Sequence, residues 1–226
     1  MLKPQKKKIT KKDLKEDKFV ETALLAKSYV EENYTKILVG LGVVLVLAVL
    51  IMLYLNHRSQ RLEQAKTLLG EAQIEYQNMH YNKAKAMLER LIDEYDGTDA
   101  AVQGYFVLAD LYYDQNKYDE AQKYYKKFID EYSGSEILLA SGYAGYAACL
   151  EHGGNHAEAA KYYMKAQKTA PEFVEAPTYL YLAGLNYKDA GMKDKAREAF
   201  QKLIEKYKDS PKANDAKAQL ILMEKE

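Results

Sequence analysis

Apolar side chains return along this chain at two periods. The short one is helical: Tyr105, Leu108, Ala109 and Tyr112 make one stripe at steps of three and four, and Tyr118, Ala121, Tyr125 and Phe128 make the next. The long one is set by Ala84, Ala121, Ala159 and Ala196, spaced 37, 38 and 37 residues apart, each followed four residues on by Leu88, Tyr125, Tyr163 or Phe200. A unit of this length cannot bury its own apolar face, so copies must stack, and the product is an extended surface rather than a closed pocket.

The third unit supplies Tyr143, Tyr146, Ala147 and Leu150, the turn GGNH, then Ala159, Tyr163 and Ala166. The fourth supplies Leu180, Ala183, Gly184 and Tyr187, then Ala196, Phe200 and Leu203. In the first, Leu68 and Ala72 fit, but Glu71 and Glu75 stand at positions that are apolar elsewhere, as expected of a capping unit with one solvated edge. Ser210-Pro211 opens a last helix whose Ala213, Ala216, Leu220 and Met223 cover the fourth unit.

A different pattern precedes the repeats. Ile37 to Leu55 is nineteen residues without a charge. At 1.5 Å per residue it reaches about 28 Å, close to the hydrocarbon thickness of a bilayer. A cleavable signal fits poorly, because thirty-six residues precede the run and no small-x-small site follows it. The single cysteine, Cys149, is far from the run, which excludes a lipid-modified start.

The expected organisation is therefore a lysine-rich, disordered tail over residues 1–16, a juxtamembrane amphipathic helix over 17–36, a transmembrane helix over 37–55 and a repeat domain over 56–226. The helix before the span gathers Phe19, Ala23, Ala26, Val30 and Tyr34 on one side. With no proline between the span and Pro171, the membrane helix is expected to run on into the first repeat.

Charge orients this layout. Residues 1–36 carry ten lysines, whereas the twenty residues after Leu55 carry Arg58, Arg61 and Lys66, a bias that keeps the N-terminus in the cytoplasm and sends the repeats across. The chain balances 33 basic against 33 acidic side chains, but its part beyond the span is mildly acidic, so nucleic acid is not an expected partner. The lysine run lacks aromatic interleaving and is explained by topology and anionic lipid.

The small residues in both helices of each unit, with larger ones between units, resemble the tetratricopeptide repeat. That resemblance implies an all-α, right-handed superhelical solenoid of about four helix pairs plus a C-terminal capping helix. With inter-repeat phrases such as IDEYDGTDAA, IDEYSGSEIL and IEKYKDSPKANDA, one span and a basic N-terminus, the layout is similar to the ancillary subunit family of the bacterial Sec translocon. The resemblance implies an inner-membrane protein with periplasmic repeats and, as partners, exported polypeptides, periplasmic chaperones or the translocon.

Catalytic constellations are absent from the sequence. His152 and His156 in EHGGNH, with Glu151, fall in a solvated turn, where packing explains them better than ligation. There is no nucleophile motif, phosphate loop or metal-spaced cysteine set, and hence no expected cofactor, metal or small-molecule substrate.

The resemblance also implies that the first helix of each repeat lines a concave groove. One helical step from the packing stripe lie Leu69, Gln73 and Tyr76, then Phe106, Asp110 and Tyr113, then Ala144, Ala148 and Glu151, then Tyr181, Leu185 and Lys188. The lysine and asparagine set that clamps a terminal carboxylate in chaperone-binding members is missing. An aromatic groove with acidic spots suits extended, partly apolar or basic polypeptide. The alternative is a structural scaffold that self-associates and organises an envelope complex; an organelle-membrane adaptor fits less well, since its anchor usually lies at the C-terminus.

Overall fold

The computed structural model describes residues 11–225. Every regular element among them is an α-helix: α1 (Lys11–Gln77), α2 (Tyr81–Glu94), α3 (Asp99–Asp114), α4 (Tyr118–Glu131), α5 (Glu136–His152), α6 (His156–Thr169), α7 (Ala176–Asp189), α8 (Lys193–Lys206) and α9 (Pro211–Met223). The chain divides into two compact units, residues 1–59 and 60–226.

In the first unit α1 carries the apolar run, with a mean hydropathy of 3.0 in its most apolar window and none of that window buried against protein. Leu45 is 66% exposed and Met52 73%. An apolar helix left uncovered by protein is not a core helix; by length and composition it is able to cross a bilayer. Helical structure starts at Lys11, so residues 11–16 are helical where the sequence reading expects irregular chain. Lysine, leucine and glutamate favour a helix, and the last breaker is Pro4. The rest of that expected tail, residues 1–10, lies outside the described residues. Asn33 interrupts the helix, with φ −116° and ψ 15°.

The second unit takes its first helix from the end of α1, which runs to Gln77 as the lack of a breaker predicts. Arg61 fastens it by donating to the carbonyls of Glu94 and Asp96, both at 3.2 Å. Four helix pairs follow, α1 with α2, α3 with α4, α5 with α6 and α7 with α8, and α9 closes the stack. The repeat-marking alanines, Ala84, Ala121, Ala159 and Ala196, are all fully buried, as are Ala72, Ala109 and Ala147 at the matching place in the first helices. These small side chains let paired helices approach, and the larger Leu88, Tyr125, Tyr163 and Phe200, all buried, fill the space beside them. Gly184 serves where Phe200 comes closest: a methyl group there would overlap its ring.

Each pair turns on a residue with positive φ: Met79, Asn116, Gly154 and Gly191. The first helix of repeat two is capped by Thr98, whose hydroxyl accepts from the amide of Ala101 at 3.1 Å, and α9 by Ser210, ahead of Pro211. Glu71 is exposed and Glu75 pairs with His80 at 2.7 Å and Lys83 at 2.6 Å, the solvated edge expected of the first repeat. The Lys83 ammonium, then His80, hold the Glu75 carboxyl below the usual range.

Candidate functional site

The first helices of successive repeats meet directly, α3 with α5 and α7 with α9. Helices on the inner side of a curved stack draw together while those outside splay, so this contact marks the face of α1, α3, α5, α7 and α9 as the inner one. The residues singled out in the sequence lie on these helices, but not all are open.

Leu69 is 7% exposed and belongs to the core around Leu68, Leu88 and Leu108. It is removed from the candidate surface. The reason is that α1, as the first helix of the stack, turns that side toward α2 and α3. The others are half-buried. Phe106 leans on Tyr125 and Phe128, with ring centroids at 5.9 and 5.1 Å. Tyr181 leans on Phe200 at 5.9 Å, with the Lys212 ammonium 5.0 Å from its ring. Leu185 packs against the same cluster, and Ala144 and Ala148, the small members on α5, pack against the core of repeat three. Gln73 is half-buried on α1.

The polar members do something the sequence does not announce: they bond across repeats. The Tyr76 hydroxyl donates to Asp114 at 2.6 Å, and Tyr113 Oη pairs with His152 Nε2 at 3.1 Å. Asn186 Nδ2 donates to Glu151 at 3.0 Å, and Lys188 Nζ donates to Gln219 at 2.8 Å. Each bond joins the first helix of one repeat to the first helix of the next, or to the cap. The result is a polar ladder along one edge of the inner face.

Asn186 is its best-determined rung. It is fully buried, and its amide nitrogen serves both Glu151 and the carbonyl of Leu182. Its oxygen must therefore accept, which makes His156 Nδ1, at 3.0 Å, the donor and fixes that tautomer. Glu151 also accepts from Tyr163 at 3.0 Å. His156 is thus a packing and hydrogen-bonding residue, and no group of three metal-ligating side chains exists among the described residues.

The Asp110 carboxyl is strongly altered by its surroundings. Burial pushes its carboxyl up to about 7, the Tyr125 hydroxyl that donates to it pulls it back, and the charge of Asp114 one turn along adds to the rise. Burial and Asp114 raise the Tyr76 phenol, and burial and Asp110 raise that of Tyr125, so both remain donors. Burial also pushes the Cys149 thiol up to about 12, which leaves it an unreactive core residue.

Asp114, Asn186 and Gln219 are ladder residues that sequence reasoning passed over, and His152, read there as a turn residue, is a fourth. Helical steps place a residue on a face but do not pair it with a partner a repeat away.

Comparison with known proteins agrees with this architecture. No curated protein matches the chain. Among solved structures the repeats are similar to MamA, at 21% identity and a TM-score of 0.54 over 64% of this chain and 73% of that one. They are also similar to the apo form of RapI, at 15% identity and 0.55 over 64% and 56%. A Podosopora anserina protein described as a kinesin light chain with nearly identical repeats matches at 14% identity and 0.56 over 71% and 85%. At such identities the likeness concerns the fold alone. The model of the tetratricopeptide repeat-like domain matches residues 27–221, and the chain therefore belongs to that family.

Proposed function

We propose that the chain is a membrane-anchored interaction module, held by residues 37–55, that receives polypeptide on the inner face of its repeats. The observation that carries this reading is the inner face itself. Phe106, Tyr113, Tyr181 and Leu185 are half-buried on α3 and α7, and α3 and α5 also carry Asp110, Asp114 and Glu151. Apolar side chains of an extended chain gain contact area there, while its backbone reaches acceptors and donors on the ladder's edge. The family match begins at residue 27, ahead of the apolar run, so the run is part of the matched pattern, which supports the anchored arrangement.

The lysine bias supports a cytoplasmic N-terminus and repeats on the periplasmic side of a bacterial inner membrane. There the chemistry of the face suits exported polypeptides, or chaperones and translocon subunits that present extended segments. An enzymatic role finds no support in the arrangement of side chains, since the buried acid, His152, His156 and the thiol are committed to packing or to the ladder.

Photo-crosslinkers at Phe106, Tyr113 and Tyr181, compared with Lys123 and Glu198 on the exposed side of α4 and α8, test the reading in intact membranes. Capture of the same polypeptides from inner positions alone supports it. Equal capture from outer positions removes the inner face as the binding surface, and capture of a second copy of this chain alone favours the self-associating scaffold.

A further inference from the structure

Residues 18–32, before the span, are helical and exposed. Phe19, Ala23, Ala26 and Val30 share one side, and Glu21, Ser28 and Glu32 the opposite one. Phe19 is 76% exposed and Val30 50%. Leu24 and Leu25 border the acidic side, so the apolar face is deepest about Phe19 and Val30.

Asn33 separates this helix from the apolar run. Its φ of −116° and ψ of 15° leave the helical region, its Nδ2 donates to the carbonyl of Tyr29 at 3.0 Å, and its Oδ1 accepts from Lys36 at 3.3 Å. The interruption falls four residues before Ile37, about 6 Å along a helix. If residues 37–55 cross the hydrocarbon, Asn33 stands among the headgroups. A helix continuing straight from there would carry residues 18–32 roughly 20 Å into water with its apolar side bare.

We propose that residues 18–32 lie along the membrane surface, with Asn33 as the elbow and the Phe19–Val30 side sunk into the headgroup and acyl boundary. The occupant of this face is lipid of the bilayer that the next segment crosses. Two further features favour lipid. Residues 3–18 hold eight lysines against three acids, which complements anionic headgroups. The apolar face also leads directly into the span, so the two share one solvent. The inference rests on the membrane-anchored reading.

The test uses the whole chain with Cys149→Ala, reconstituted in vesicles of phosphatidylcholine and phosphatidylglycerol. Spin labels are placed singly through Phe19→Cys, Ala23→Cys and Val30→Cys on one side and Glu21→Cys, Ser28→Cys and Glu32→Cys on the other. Val44→Cys marks the span. Oxygen collides preferentially with labels in lipid, and a water-soluble nickel chelate with labels in water. The expected result is an oxygen-favoured signal at 19, 23 and 30, about 5–10 Å below the headgroups, and a chelate-favoured signal at 21, 28 and 32. Chelate access at all six positions with Val44 oxygen-rich overturns the surface helix and leaves the anchor standing. Protection of 19, 23 and 30 from both reagents shows protein on that face and overturns the proposal. A chelate-accessible Val44 defeats the anchored reading and the elbow with it.

Discussion

Replacing Asp110 with asparagine isolates the effect of a half-buried acid on the stability of the repeats. The carboxyl titrates at about 7 in the folded chain against an ordinary value of 3.8. That gap corresponds to about 4 kcal/mol of preference for the neutral form, an upper figure for the stability at stake. The sign is set by proton counting. Between about pH 4 and 7 the folded chain keeps a proton on Asp110 that the unfolded chain has released, so this contribution is full below pH 4 and is lost as pH rises through 7. Asparagine is neutral throughout and still accepts from Tyr125 through its side-chain oxygen. Residues 60–226 and the Asp110→Asn variant should therefore melt alike near pH 4. The variant should gain with rising pH, to an advantage on the order of 10 °C by pH 8. Other titrating groups are common to both proteins and cancel in the difference. Thermal melts followed by helical circular dichroism from pH 4 to 8 supply the comparison. A difference that stays flat across that range refutes the assignment of Asp110 as a desolvated acid.

Four further outcomes follow from named contacts. Ala121→Leu, at a fully buried helix crossing, should cost about 1–3 kcal/mol in urea unfolding, and an unchanged midpoint would contradict the packing register. Asn186→Leu removes a fully bonded buried amide and should cost about 1–3 kcal/mol, with loss of any tautomer preference at His156 in nitrogen-resolved NMR. Met79→Gly relieves a non-glycine residue at φ 60° and should raise stability by up to about 1 kcal/mol; a loss would mean that the methionine side chain contributes more than the backbone strain costs. Protease added to spheroplasts should digest the chain beyond Leu55 and spare residues 1–36, and protected repeats would reverse the orientation read from the lysines.

The repeat architecture was legible because its close contacts demand small residues: every alanine of the 37, 38, 37 series is buried, and the companion series in the first helices holds Ala72, Ala109, Ala147 and Gly184. The turns were legible only in part. Gly154 and Gly191 advertise positive φ, while Met79 and Asn116 adopt the same geometry without that signal. Phe106 and Tyr181 are half-buried, and helical steps say nothing about how far the rings of Tyr125, Phe128 and Phe200 reach toward them from the second helices. Leu69 differs for another reason: it is buried in the core that α1 shares with α2 and α3. The ladder has no signature at all, because its partners stand 38, 39, 35 and 31 residues apart, and no fixed period marks them.

On the proposed reading, that ladder changes what the inner face would select. Read from sequence, Asp110 and Glu151 are acidic spots suited to a basic partner. In the structure Asp114 already holds Tyr76, Glu151 holds Asn186 and Tyr163, and Asp110 holds Tyr125. A lysine or arginine that takes Asp114 or Glu151 away from its partner on the next repeat breaks a bond to a charged group worth about 1.5–3 kcal/mol, and it loosens the link between two repeats as it does so. Apolar side chains meet no such cost at Phe106, Tyr181 and Leu185, where contact area is added to rings already set by packing. Affinity on this face should therefore follow the apolar content of a bound polypeptide, with its positive charges steering approach and fixing register rather than supplying most of the binding free energy.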